Sequence, residues 1–264
     1  LRLPLQGSVV RELEYLLRHY DAKFTVQVLS NRLQIIAHGR RRVRGFSLPL
    51  LVLGADVNSR YGLVLRGLLF EKGEAKLVVK RRYKPPNHGY RRKLAAELQS
   101  AGLHGEAGKV RGRERRLNEE WVKTVVHSVR AIIREHYDKR GGSAVLAVDQ
   151  INSESLRGTE LQGTLLSVVR RLRWMCSFEG AYFLQVAASG KRCPLCGGWG
   201  REVPGLNRTY CCPLCQTVWQ RDSAASIDAI AVALYKLRRY DLLKQYYEWL
   251  WEVIDRNQGI INKI

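Results

Sequence analysis

No apolar run in this 264-residue chain is long enough to span a bilayer, and no charged-then-apolar secretion signal opens it. Those two absences set aside a membrane span and an exported protein, and the expected compartment is cytoplasmic. Acids are the scarce charge: 24 Asp and Glu stand against 45 Lys and Arg, a formal net charge of +21. At 45% hydrophobic and 26% charged, the composition carries no sign of extended disorder. There is no internal repeat beyond a doubled CPLC. The first residue is Leu1, not Met, so a fragment or a chain without its native start is expected.

What is present is enough for one generous domain with a small insertion. A positive excess of +21 is hard to explain as a merely solvated surface. A polyanion is the expected partner, nucleic acid before membrane, which would associate the protein with the nucleoid. Four of the six cysteines sit in two CPLC pairs, an arrangement that argues for metal over disulfides.

Along the chain, residues 1–48 alternate in KFTVQVLS and NRLQIIAHG, which predicts strands with a hairpin turn near Ser30-Asn31. Arg40, Arg41, Arg42 and Arg44 then place four positive charges in five residues, either a solvated loop or a contact for backbone phosphates. Apolar-rich runs at 50–57, 61–70 and 75–82, joined by short linkers, predict an antiparallel meander. A polar, basic stretch follows over 83–116, with a helix in YRRKLAAELQSAG. Within it Lys109, Arg111, Arg113, Arg115 and Arg116 form a second basic run.

A helix is expected from Asn118 to about Lys139, capped by Asn118 and stopped by Gly141-Gly142. AVLAV (144–148) reads as a central parallel strand ending in Asp149. Further helices fit 160–177, the apolar stretch after Asp222, and 241–257; a short strand fits 181–187.

Cys193-Pro-Leu-Cys196 and Cys212-Pro-Leu-Cys215 are fifteen residues apart, the spacing of two knuckles that converge four thiolates on one zinc. Such a closed site is structural, because no coordination position remains for substrate. Cys211 is a neighbour that makes no CxxC spacing with Cys215, and Cys176 reads as a core residue.

A meander, a crossover helix, a parallel strand and more helices describe an α/β, RNase H-like mixed sheet with helices on both faces. Its first and fourth strands lie side by side, and ligands bind at their C-terminal ends. Asp56, ending LVLGADVN, and Asp149 would stand there, and Asp222 could point into the same crevice. Taken singly each acid reads as a turn residue or a helix cap. Together they would repel unless hard cations neutralise them. Mg²⁺ is the expected choice, as two ions about 4 Å apart working on a phosphodiester.

These residues resemble the RuvC-like nuclease part of TnpB-type transposon proteins and the related compact type V CRISPR effectors. The family's G-x-D strand is matched by Leu53-Gly54-Ala55-Asp56, and its V-E-D-L-N by Val148-Asp149-Gln150-Ile151-Asn152. Its D-R-D-x-N-A-A is matched by Gln220-Arg221-Asp222-Ser223-Ala224-Ala225, and its T-S-x-x-C-P approach to the knuckles by residues 188–194. The resemblance covers about 45–237. It implies an RNA-guided endonuclease that cuts DNA with Mg²⁺, using Asp56, Asp149 and Asp222 as catalytic metal ligands, and a structural zinc on Cys193, Cys196, Cys212 and Cys215. DNA and a guide RNA would be the partners; Arg221, beside Asp222, reads equally as a residue that steadies a phosphate or as a surface residue.

The corresponding division is 1–48 as a β-rich lead-in, the end of a wedge-like barrel. A nuclease domain follows over 49–188, a zinc ribbon over 189–220, and the nuclease's C-terminal helices over 221–264. Three departures stand out: Asp149 replaces Glu, with Glu154 as a fallback ligand; Ala224 replaces Asn; and no recognition lobe precedes the barrel segment. They keep a second reading open, a nuclease-dead relative that holds RNA and DNA as a repressor or transposition accessory. A guide-free resolvase acting on branched DNA is a weaker third.

Overall fold

The computed structural model of the chain describes residues 7–29, 32–41, 46–58, 62–87, 89–151, 161–256 and 260–261. The N-terminal part begins with a helix where only strands were expected. Helix α1 (Gly7–His19) places Val9, Val10, Leu13, Leu16 and Leu17 at helical spacing, and Leu16 is buried. Strands β1 (Tyr20–Leu29) and β2 (Arg32–Arg41) then pair antiparallel from Tyr20↔Arg41 to Leu29↔Arg32. That is the expected hairpin; its turn residues Ser30 and Asn31 lie outside the described residues.

Strands β3 (Leu50–Asn58), β4 (Gly62–Glu71) and β5 (Glu74–Tyr83) form the meander. Helices α2 (Gly89–Ser100) and α3 (His104–Arg140) follow, and then β6 (Ser143–Asp149). Helix α4 (Gln162–Glu179) leads to β7 (Tyr182–Val186). The strand order is β5-β4-β3-β6-β7, with β6 parallel to β3 and β7 parallel to β6. This is the RNase H-like order. Short strands β8 (Arg201–Glu202), β9 (Thr209–Cys211) and β10 (Val218–Gln220) come next, then helices α5 (Arg221–Lys236) and α6 (Tyr240–Arg256). A final two-residue strand, β11 (Ile260–Ile261), returns to pair parallel with β10.

Strand β3 shows why the sheet needs both faces covered. Leu51, Leu53, Ala55 and Val57 turn towards Val125, Val129 and Ile133 of α3 and Leu165 and Leu172 of α4. The alternate residues Leu50 and Val52 turn towards Ile227, Ile230 and Leu234 of α5 and Leu250 of α6. Each such Leu or Val contributes roughly 1.5–3 kcal/mol by leaving water. A strand apolar at every position thus has a use for every position.

The long helix corrects one expectation. α3 starts at His104, not at Asn118, and no cap is needed in its middle. KVRGRERR consists mainly of Lys, Arg and Glu, which are good helix formers, and α2 folds back along it with Arg92 paired to Glu114 at 2.6 Å. The C-terminus is as expected: Gly141 takes the left-handed conformation, φ 70°, and donates its N–H to Tyr137 O.

A charged knot ties the N-terminal hairpin to the core. Glu179, fully buried at the end of α4, accepts from Tyr20 Oη, Arg130 Nε and Arg134 Nε. Arg41 joins this knot, 2.7 Å from Asp138 and 2.8 Å from the Tyr15 hydroxyl, with its guanidinium over the Tyr137 ring. It is therefore a packing residue and not the surface phosphate contact expected of the Arg40–Arg44 run.

Candidate active site and metal centre

The acidic site is built by one close packing contact. A Cβ at Gly54 would overlap the carbonyl oxygen of Ser226, so α5 lies directly on β3 there, an approach only glycine permits. Two residues further along β3 is Asp56, on the same face as Gly54. One turn earlier along α5 is Asp222. The same contact therefore draws these two acids towards each other. On the neighbouring strand, Ala55 pairs with Val148, and Asp149 follows on the face of Val145 and Ala147 that α5 covers. All three carboxylates thus belong to one face, at the C-terminal ends of two parallel strands and the N-terminus of a helix.

Their environments differ. Asp56 is 7% exposed and accepts a hydrogen bond from Asn58 Nδ2 at 2.7 Å. Burial, then the charge of Asp222, and more weakly that of Asp149, push its carboxyl up to about 7. Asp149 accepts from the Ala188 N–H at 2.9 Å, and burial with repulsion from Asp228 raises it to about 6. Asp222 is 1% exposed and receives Gln220 Nε2 at 3.1 Å and Arg208 Nε at 3.1 Å, with a second, closer contact from the Arg208 guanidinium.

Asp222 does not cap its helix. Gln220 does, its Oε1 accepting from the N–H groups of Asp222 and Ser223 at 3.0 Å each, so the Asp222 carboxylate is engaged by Arg208 and Gln220 Nε2 and not by its own helix end. Ala224 is buried among apolar neighbours of α5.

Three residues of this neighbourhood escaped the sequence reading. Arg208 sits in the ribbon fourteen positions before Asp222 and meets it only through the fold. Asp228, half-exposed on α5, accepts from the Ser189 N–H at 2.9 Å. Its signal was visible as a lone acid in the apolar run SIDAIAVAL. Arg66 on β4 is buried and donates to Ser223 Oγ at 3.0 Å; a basic residue inside an apolar strand was the clue. Glu154 lies outside the described residues. Arg221 follows the cap at the start of α5 and lowers the pKa of Asp149 by its charge.

The thiols converge tightly. Sγ atoms of Cys193, Cys196, Cys212 and Cys215 all lie within 4.8 Å of one another, with pairs at 3.6 Å (Cys193–Cys215) and 3.4 Å (Cys196–Cys212). Among the described residues this is the one group of metal-ligating side chains drawn so close; the three acids are not. Four thiols gathered this closely are a donor set that would suit a structural zinc. Burial alone would raise the Cys215 thiol, but the Thr217 hydroxyl and N–H bring it down to about 7, towards the thiolate that binds metal. Cys211 lies outside the cluster, and Cys176 is buried in α4.

The ribbon is fastened to α5. Buried Trp219 donates Nε1–H to Gly190 O at 2.8 Å, and Arg221 N–H donates to Arg208 O at 2.9 Å.

Of the basic residues singled out, Arg111, Arg113, Arg115 and Arg116 are exposed on the first half of α3, Arg111 donating to Gln99 Oε1 at 2.6 Å. Arg40 is in β2, and Arg42 and Arg44 lie outside the described residues. A cavity of about 640 Å³ lies between α3 and α4, lined by Trp174, Phe178 and Met175, on the sheet face away from the acids. No helix among the described residues is long and apolar enough to cross a membrane.

No family model matches the chain, and no curated protein does. Solved structures similar to it include CasPhi-2 (Cas12j) bound to crRNA, at 10% identity and TM-score 0.46, over 76% of this chain and 53% of that one. The mini-RNA-guided endonuclease CRISPR-Cas_phi3 is 11% identical at TM-score 0.47, over 70% and 45%. The Cas12f1–sgRNA–target DNA complex is 13% identical at TM-score 0.43, over 78% and 55%. The chain spans about half the length of these proteins.

Proposed function

We propose that the chain is the nuclease portion of a divalent-cation-dependent endonuclease of RuvC type that cuts DNA, working with a guide RNA as the sequence resemblance implies. One observation carries the reading: Asp56, Asp149 and Asp222 share a single sheet face at the mouth of the β3–β6 crevice, where open α/β sheets place their ligands. The donor set is all oxygen, and the Asp56 and Asp149 carboxyls are raised first by burial and then by the charge of neighbouring acids, both of which a hard cation would offset. Mg²⁺ bound by these three would activate water and stabilise the leaving oxygen of a phosphodiester.

The protein's own part is positional. Asn58 orients Asp56, the Ala188 N–H orients Asp149, and the Gln220 cap keeps Asp222 out of the helix ladder. Arg208 supplies positive charge at Asp222, and on this reading it would meet the substrate phosphate. The test is cleavage of labelled single-stranded DNA with Mg²⁺. Wild type is expected to cut and Asp56→Ala to lose at least 100-fold in rate, the order seen when a group that stabilises the transition state is removed; equal cutting by both would end the assignment.

A nuclease-dead binding protein is the second reading. It is favoured by the engagement of Asp222 with Arg208 and by the acids' wider spacing than the thiols'. It predicts DNA binding that Asp56→Ala leaves intact and no Mg²⁺-dependent product.

A further inference from the structure

The ribbon sends one side chain into the acidic site. Arg208 stands just before β9, and its backbone is fixed on both sides. Its N–H donates to Glu202 Oε1 at 3.2 Å, and its carbonyl accepts from the Arg221 N–H at 2.9 Å. It takes a left-handed backbone, φ 57°, which residues other than glycine seldom adopt. From that anchor Nε donates to Asp222 Oδ2 at 3.1 Å while Nη2 contacts Oδ1, so the guanidinium fork covers both oxygens of the carboxylate. Its charge is felt further in. Burial and the charge of Asp222 raise the Asp56 carboxyl, and Arg208 is among the groups that pull it back down.

A plain ion pair fastening the ribbon to α5 would look similar. That fastening is already made by the Trp219 indole on Gly190 O and by the Arg208 carbonyl, neither of which uses the guanidinium. What the fork adds is positive charge on both Asp222 oxygens, which is also what a bound cation would supply. A Mg²⁺ bonded to Oδ2 at about 2.1 Å would stand within about 5 Å of Arg208 Nε, and like charges that close repel. One of the two must give way at Asp222. The arginine side chain is the one with solvent to swing into, 21% exposed against 1% for Asp222. The three carboxylates also stand farther apart than the four thiols, as they would with Asp222 drawn onto Arg208.

We infer that Arg208 is a built-in competitor of the divalent cation for Asp222: the ion enters as the guanidinium leaves, so the ribbon sets the cation concentration at which the acids load. The ion's place rests on the nuclease reading, but its binding is measurable without cleavage. The experiment titrates Mn²⁺ into the full chain, freed of nucleic acid, and follows the electron paramagnetic resonance signal of the free ion. At pH 8 the Asp56 carboxyl, raised to about 7, is ionised. Binding at the acids is the part lost in Asp56→Ala. Arg208→Gln is expected to bind Mn²⁺ at least about ten-fold more tightly than wild type. Arg201→Gln, the same charge change at an exposed position of the ribbon, should alter affinity less than about two-fold, with thermal melting confirming that both fold. In wild type, Mg²⁺ should shift the ¹⁵N–¹H signal of Arg208 Nε, identified by its loss in Arg208→Gln. Equal or weaker Mn²⁺ binding in Arg208→Gln, or an Nε signal unmoved by Mg²⁺, would overturn the competition and leave the nuclease reading standing. No Mn²⁺ at the acids in either protein would overturn both. A variant that binds Mn²⁺ more tightly, beside a wild type that never cuts, would sink only the nuclease reading.

Discussion

Asp56 states the logic of the site most directly. Its carboxyl is buried beside another acid, so the folded chain holds a proton there up to about pH 7, whereas an unfolded aspartate releases it near 3.8. Between those values the native state binds more protons than the unfolded state, so stability must fall as pH rises. The contribution is complete below the unfolded value and gone once pH passes the folded one. At 1.36 kcal/mol per unit the fall is on the order of 4 kcal/mol, in magnesium-free buffer. Urea titrations at pH 5, 6, 7 and 8 check this: wild type should lose stability across the series and Asp56→Asn should show a flatter profile. A cation at the site should recover the loss at pH 8. Parallel profiles for the two proteins would mean that Asp56 is not held in this environment.

At the scale of elements, the ribbon and α5 act together. The four thiols close a loop whose far side carries Arg208, and Trp219 and Arg221 join that loop to the start of α5. A zinc held by those thiols would therefore help to set where Arg208 and Asp222 meet. Elemental analysis of the purified protein should find about one zinc per chain, and Cys212→Ser should remove most of it. Hydrogen exchange in the first turn of α5 should rise in that variant while the β3–β4 amides stay protected. Full zinc content in Cys212→Ser would assign the ligand wrongly.

Some of these elements were legible in the sequence. The meander, β6, α4, β7 and α5 follow from apolar runs broken by turn residues, and the thiol cluster from two CxxC pairs. Helix α1 and the first half of α3 were not. In α1 the helical spacing of Val9, Leu13 and Leu16 sits beside a stretch that alternates. In α3 a run of Arg, Lys and Gly has no apolar stripe of its own and becomes helical against α2.

For the whole molecule, the +21 charge is the property that acts over distance. Exposed arginines along α3 and exposed Lys80 and Arg82 on β5 spread part of that charge over the surface. Binding of a long single strand should weaken steeply with salt, with log K falling about four units per decade if six or so phosphates are neutralised. A slope near zero would remove nucleic acid as the partner. Charge used inside the fold does not contribute: Arg41, Arg130 and Arg134 are spent on Glu179 and Asp138, holding the hairpin to the core.

The sequence by itself determined the class of fold, the four thiols and which acids end their elements, because strand burial, zinc knuckles and helix starts are local patterns. It could not say what Arg41 does, since the same arginine run serves a solvent face or a buried knot, and only packing chooses. Nor could it bring Arg208 to Asp222 or Arg66 to Ser223. Those meetings depend on strand register and on the seat of α5 against Gly54, which are properties of contacts between segments far apart along the chain.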